Sequence, residues 1–230
     1  MMKVYENLEQ GTENWLQARC GLLTASVVRN VITPKNLSFA KNDKCRAIVY
    51  ELAAQRATGF VEPTPTTWAM ERGHVDEVFA RELYNEHTKT EAIEVGFITE
   101  QFGTVTIGYS PDGVIHNGDK IAGLIEIKSR AQKYQFETIA TGAVPQEYML
   151  QMQTGMLVTG APWCDFVSYC EGMPLFIARV LPIAEYQDAI VSAAISLDEQ
   201  IADLLACYKT NANGLPVAER REKHDDGDFV

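Results

Sequence analysis

The chain has 230 residues, 46% of them hydrophobic and 22% charged, the balance of an ordinary globular protein long enough to bury a full core. Its five scattered cysteines include no Cys-x-x-Cys pair, which argues against a disulfide framework or a zinc site. No apolar run approaches the ~20 residues that cross a bilayer. The net charge of −11 argues against a protein that coats nucleic acid, but it is unevenly spread: residues 1–60 are net +3 and the remainder net −14.

The N-terminus, Met1-Met2-Lys3-Val4-Tyr5-Glu6, has no apolar signal region, so a reducing cytoplasm is expected. Glu13 to Cys20 predicts a short helix between a Thr12 cap and Gly21. Thr24 caps a second predicted helix through Ile32, stopped by Pro34. Residues 34–42 read as a loop. Cys45, Ile48, Val49, Leu52 and Ala53 form the buried stripe of a helix ending at Gly59. After a Pro-containing connection over residues 61–66, Thr66 or Thr67 opens a longer helix with Val75, Val78, Phe79 and Leu83 at 3–4 spacing.

The hydrophobic period then changes. Strands are predicted over 92–99, 104–109 and 121–128, followed by helices over 132–141 and 146–158. Two further strands, 165–170 and 175–181, flank a Glu171-Gly172-Met173-Pro174 turn. A final helix runs from Ile183 to Tyr208 with Ile190, Ala194, Leu197 and Ile201 on one face. Residues 1–210 are expected to form a single domain, and 211–230 a charged, frayed tail.

The segment from Ser110 to Lys128 carries the chemistry. Ser110-Pro111-Asp112-Gly113 is a turn in which Pro presets φ and Gly accepts a positive one. The Asn117-Gly118 pair is a strong hairpin signal, and a hairpin of this length returns Asp112 to the side of Glu126. On the returning strand Glu126 and Lys128 share a face, because side chains two apart point the same way. Ile127 lies between them and offers its main-chain carbonyl. Two carboxylates and a lysine are the minimum kit for holding Mg²⁺ at a phosphodiester: the ion takes hard oxygen ligands and neutralises charge as water attacks phosphorus. A Glu-x-Lys strand is also a common solvated face, so the motif alone leaves both readings open.

Further elements stand around this hairpin in a recognisable order. They are Arg19-Cys20-Gly21-Leu22-Leu23-Thr24-Ala25-Ser26, Gly73-His74-Val75-Asp76-Glu77, the hairpin itself, and Tyr148-Met149-Leu150-Gln151-Met152-Gln153. In residues and order, from about residue 10 to 180, the chain resembles the lambda exonuclease family of YqaJ-type viral recombinases. These belong to the PD-(D/E)xK nucleases. The resemblance implies an α/β fold with a restriction-endonuclease-like core, a central mixed sheet flanked by helices.

It also implies a set of roles. Asp112, Glu126 and the Ile127 carbonyl bind Mg²⁺, for which Mn²⁺ is a possible substitute. Glu77 stands in the first or second shell, although by itself it reads as a surface residue. Lys128 orients or deprotonates the attacking water; with a reference pKa of ~10.4 it serves equally as an electrostatic stabiliser. Gln151 faces the site or is a core-edge amide. Arg19, Ser26 and Ser110 form a pocket for a 5′-terminal phosphate, with Arg130 and Lys133 as backbone contacts or a solvated face. Trp15, Trp68 and Trp163 read as core, with Trp15 alternatively near a DNA end.

The implied activity is Mg²⁺-dependent 5′→3′ digestion of linear double-stranded DNA from phosphorylated ends, releasing mononucleotides and leaving a 3′ strand for annealing. A ring-shaped homotrimer, a single-strand annealing partner and a phage or prophage origin in host cytoplasm follow from the same resemblance. The alternatives are a structure-specific endonuclease or a Cas4-like enzyme, for which the four-cysteine set is missing. An acidic DNA mimic or a catalytically dead DNA-end binder ranks below both, because Asp112, Glu126 and Lys128 are all intact.

Overall fold

The computed structural model describes residues 1–63 and 67–220. In chain order the elements are β1 (Lys3–Tyr5), α1 (Glu13–Arg19), β2 (Leu23–Thr24), α2 (Ala25–Val31), β3 (Ile32–Thr33), β4 (Ser38–Phe39) and α3 (Asp43–Thr58). There follow α4 (Trp68–Thr88), β5 (Ala92–Ile93), β6 (Phe97–Phe102), β7 (Val105–Tyr109), β8 (Gly113–Asn117) and β9 (Lys120–Ser129). The last are α5 (Gln132–Thr141), a 3-10 turn (Gln146–Tyr148), α6 (Met149–Thr159), β10 (Cys164–Tyr169), β11 (Phe176–Val180) and α7 (Ala184–Asn211).

Caps set most helix ends. The Thr12 hydroxyl accepts from the Trp15 amide, Asn42 from Cys45 and Thr67 from Met70, each satisfying a first-turn donor. Gly59, at φ +65, closes α3 in the left-handed region that glycine tolerates. Thr24 occupies the cap position of α2 but makes no cap bond, because its hydroxyl serves another purpose described below.

The strands form two mixed sheets, ordered β11-β10-β9-β8-β5 and β1-β6-β7-β2, beside the small β3-β4 pair. In the five-stranded sheet β9 and β10 are parallel and their other neighbours antiparallel. Helix α6 is buried along nearly its whole length between the sheets; Met152 and Met156 are fully enclosed. Helix α4 covers the opposite face of β9 and β10, packing Ala80 and Tyr84 on Ile125, Ile127 and Val167. Under it, Tyr84 donates to Asp165 at 2.7 Å, and Arg179 grips the same carboxylate with two bonds of 2.8 and 2.9 Å.

Several expectations are corrected. The strand expected over 92–99 is two strands in different sheets. The break is at Gly96, where a Cβ would come within 2.2 Å of the Leu8 carbonyl. The loop expected over 34–42 contains β4, and β1 carried no signal in three residues. The helix expected over 146–158 begins with a 3-10 turn. In the hairpin, Gly118 rather than Asn117 takes positive φ, +60, so Gly118-Asp119 are the central residues of the turn. The stripe Val75, Val78, Phe79 and Leu83 is real but faces outward, at 58, 48, 54 and 42% exposure. Residues 64–66, part of the expected connection, and 221–230, part of the expected tail, lie outside the described residues.

Candidate active site

The hairpin positions the acidic centre. Strand β8 ends its pairing with β9 at Gly113–Ile125. Asp112, one residue earlier, replaces the missing ladder partner: its Oδ2 accepts from the Ile127 amide at 2.7 Å. A strand residue's N–H and C=O point to the same side, so the Ile127 carbonyl also faces the Asp112 edge, away from β10. Gly113 makes room for the approach, since a Cβ there would lie 2.6 Å from Ile125 Cγ1.

Glu126 is fully buried. Its Oε1 accepts from Lys128 Nζ at 2.5 Å, and Tyr109 donates a long 3.4 Å bond to Oε2. The Tyr109 ring lies against the backbone of α6 at Gly155, where a Cβ would stand 2.7 Å from Cζ. Burial, reinforced by the Asp112 charge, pushes the Glu126 carboxyl up to about 7. Asp112 is raised by burial too, against the pull of Lys128 and the Ile127 amide. Burial pulls Lys128 down, but Glu126 and Asp112 outweigh it and hold the ammonium above its usual range.

Glu77 reaches this centre from α4. Burial and then Asp112 push it up to about 8, with Arg81 opposing. Arg81 sits one turn further along, where i,i+4 spacing lets a Glu and an Arg meet. It lies 3.5 Å from Glu77, donates to the Asp112 carbonyl at 2.5 Å and to Glu94 at 3.0 Å. That spacing was visible in the sequence, yet only the fold shows that Arg81 holds the turn bearing Asp112.

The donor set fits Mg²⁺. Among the described residues no three His, Cys, Asp or Glu side chains converge into a cage. The donors at hand are Asp112, Glu126 and the Ile127 carbonyl, all oxygens, which suits an ion that keeps several waters. Two adjacent carboxylates, Glu126 buried and Asp112 half-buried, both raised in pKa, are also the electrostatic setting that a divalent cation relieves.

A second site of opposite sign adjoins the first. Arg19, at the end of α1, donates from Nη1 to Ser110 Oγ at 3.0 Å and from Nη2 to Thr24 Oγ1 at 3.2 Å. Thr24 Oγ1 lies 3.4 Å from Ser26 Oγ. Trp15 Nε1 also donates to Ser110 Oγ, at 3.1 Å, and its ring stacks 3.9 Å from the Arg19 guanidinium carbon. The three residues expected in a phosphate pocket, Arg19, Ser26 and Ser110, are thus together, joined by Thr24 and Trp15. Trp15 read mainly as core, but it is half-exposed at this pocket. Burial lowers the guanidinium to about 10, and its neighbours here are hydroxyls and rings rather than carboxylates.

Arg130 lies elsewhere. It is 9% exposed, with its guanidinium 5.2 and 5.3 Å from the Tyr134 and Tyr148 rings, and Nη1 bonds Tyr148 Oη at 2.5 Å and Glu147 at 3.2 Å. It is therefore neither a solvated residue nor part of the Arg19 pocket. Tyr148 also underlies Lys128, 5.6 Å from Nζ to the ring centre. Gln151, three residues on, shares the Tyr148 side of the helix and is half-buried. The neighbouring Gln153 is instead structural, bonding the Leu181 carbonyl and the Ile183 amide. Tyr109 carried no sequence signal, because what recruits it is Glu126, 17 residues along the chain; Tyr148 and Thr24 were named only as members of longer elements, without the partners that hold them.

Residues 14–162 match the family model of the YqaJ-like viral recombinase domain. The chain is similar to LHK-Exo, an alkaline exonuclease from Laribacter hongkongensis, with 35% identity over 87% of this chain and 100% of that one, and a TM-score of 0.72. Against LHK-Exo in complex with dAMP the identity is 34%, over 89% of this chain and 100% of that one, with a TM-score of 0.76. A phage-related exonuclease from Haemophilus somnus 129PT shares the fold, at 12% identity over 80% of this chain and 95% of that one, with a TM-score of 0.56. No curated protein matches the sequence.

Proposed function

The chain belongs to the YqaJ-like viral recombinase domain family, and we propose that it is a Mg²⁺-dependent 5′→3′ exonuclease acting on linear double-stranded DNA with 5′-phosphorylated ends. Its fold, mixed sheets flanked by helices, is that of the PD-(D/E)xK-like alkaline exonucleases. One observation carries the reading: Ser110 of the anion pocket and Asp112 of the acidic centre are two residues apart. No more than about 7 Å of main chain separates them, so a terminal phosphate held by Arg19 sets the next phosphodiester beside Asp112. The expected product is a mononucleotide, and LHK-Exo is known in complex with dAMP.

The roles follow from the geometry. Arg19, Ser26, Thr24 and Ser110 hold the terminal phosphate. Asp112, Glu126 and the Ile127 carbonyl would hold Mg²⁺, which when bound supplies positive charge to the scissile phosphate, and Glu77 would act through a water. Lys128, with its Nζ 2.5 Å from Glu126, would stabilise negative charge on phosphorus oxygens. Arg81 and Tyr109 keep Asp112 and Glu126 in place. Gln151, near Tyr148, faces the reacting water or phosphate.

Residues 1–210 act as one exonuclease domain. The outward apolar stripe of α4 is the kind of surface that a second copy covers, which supports assembly into a homotrimer ring. The 3′ strand left behind would pass to a single-strand annealing protein in the cytoplasm of a phage host. Among the described residues no helix is long and apolar enough to cross a membrane.

The test is a linear duplex with one 5′-phosphoryl and one 5′-hydroxyl end, incubated with Mg²⁺ or EDTA. Metal-dependent release of mononucleotides from the phosphorylated end, absent in Asp112→Ala, is expected. Cutting of closed circles would replace this reading with an endonuclease.

A further inference from the structure

The C-terminal end of β9, immediately after Lys128, is bracketed on its two faces by pairs of exposed aromatic rings and cations that hydrolysis does not require. On the α4 face, Arg72 donates from Nε to Ser129 Oγ at 3.2 Å, and its guanidinium carbon lies 5.1 Å from the centre of the Trp68 ring. Ser129 in turn donates to Asp76, so Arg72 is anchored one residue from Lys128. On the other face, Arg130 and Lys133 lie 5.2 and 4.6 Å from the Tyr134 ring. The outer rungs are open to solvent: Trp68 is 71% and Tyr134 45% exposed. Arg130, behind them, is not: it is buried, and its Nε has no hydrogen-bond partner among the described residues.

We infer that these rungs form a binding site for single-stranded nucleic acid, with unpaired bases stacking on Trp68 and Tyr134 and the accessible cations, Arg72 and Lys133, following the backbone. The inference rests on the reading of the centre as a nuclease on DNA. A duplex cannot use such rungs, because its bases already stack on one another, whereas an unpaired base offers a free face to any aromatic ring. A peptide surface gives no reason for a cation against each ring. The position fits as well: removing one strand of a duplex leaves the other unpaired, and the rungs stand at the end of the strand that carries Lys128. Stacking on such rings is sequence-tolerant, so the site would hold any base.

The test separates this site from the nuclease. In EDTA, with hydrolysis off, binding of a fluorescent 5′-hydroxyl oligothymidylate and of a short blunt duplex is measured for wild type, Trp68→Ala, Trp68→Phe and Tyr134→Ala. Quenching of tryptophan emission by the unlabelled single strand is followed in parallel. The expected result is a loss of single-strand affinity on the order of tenfold in Trp68→Ala, a smaller loss in Trp68→Phe, and a duplex affinity that moves far less. Quenching should shrink in Trp68→Phe, which retains Trp15 and Trp163 and reports on the site even if the alanine variants fold poorly. Equal losses on both ligands, or unchanged single-strand binding and quenching in folded variants, would overturn the inference. Neither result bears on whether Mg²⁺ and Asp112 cleave DNA, which the end-labelled duplex reports separately.

Discussion

The acidic centre and the Arg19 pocket solve the same problem with opposite signs. Each buries charge that the protein does not fully neutralise. In the first, Asp112 and Glu126 share Lys128, and both carboxyls rise. In the second, Arg19 sits among hydroxyls and rings, and its guanidinium falls to about 10. A buried charge without its counter-charge is costly, and on the proposed reading each half takes a ligand of the opposite sign, a cation in one and a phosphate in the other. The net charge of −11 conceals this, because the charge that a ligand meets at the site is local.

The sharpest way to break the comparison is to neutralise one half at a time. Glu126→Gln should lower mononucleotide release by about a thousandfold, as loss of a preorganised charged group does, and the metal-free protein should melt below wild type because the Lys128 ammonium loses the partner it holds at 2.5 Å. An unchanged melting temperature would mean that the Glu126–Lys128 pair contributes nothing to the fold. Arg19→Ala should cost about a hundredfold on a 5′-phosphorylated end, from the loss of charge-assisted bonds, with little change on a 5′-hydroxyl end. Arg19→Lys should rescue poorly, because an ammonium cannot reproduce the fork to Ser110 and Thr24. Equal losses on both ends would remove the phosphate pocket.

Gly155→Ala reaches the centre indirectly. The added methyl meets the Tyr109 ring, so about 1–3 kcal/mol of stability should be lost to overpacking, measured by urea unfolding. Activity should fall as Glu126 loses its outer bond, and a stable, fully active variant would show that Tyr109 is dispensable. The smallest effect is on pH. Glu126 and Glu77 titrate higher folded, near 7 and 8, than their ordinary 4.5, so the folded state binds more protons between those values. The stability they contribute is present below pH 4.5 and lost as pH rises through 7 to 8. In EDTA the melting temperature should therefore decline from pH 5 to 8, and Glu77→Gln should flatten the slope; a rise over that interval would contradict the burial described for both groups.

Local signals reached far into this molecule. Thr12 and Thr67 marked helix starts, Gly59 marked a helix end, and Pro111-Asp112-Gly113 with Asn117-Gly118 marked the hairpin that brings Asp112 to Glu126, whereas the Asn42 cap lay in what read as a loop. Arg19, Ser26 and Ser110 were expected together and are together. What stayed hidden depends on how the chain turns in space. Thr24 looked like a cap because the cap signal is local, while its actual partner, Arg19, is five residues back across a turn. Periodicity identified α4 as amphipathic but could not say which stripe faces the sheet. That is decided by small Ala80 and by Tyr84, whose hydroxyl finds Asp165 81 residues away.

That orientation of α4 has a mechanical consequence. At about 100° per residue, Val75 and Phe79 lie on the side of the helix opposite Glu77. Anything that clamps the outer side stiffens the rod on which the inner carboxylate is mounted. On the proposed assembly of several copies through this stripe, specific activity should rise with protein concentration and fade on dilution, and Phe79→Glu should remove that dependence while leaving the fold intact. The surface of α4 would in this way act as a throttle on its interior.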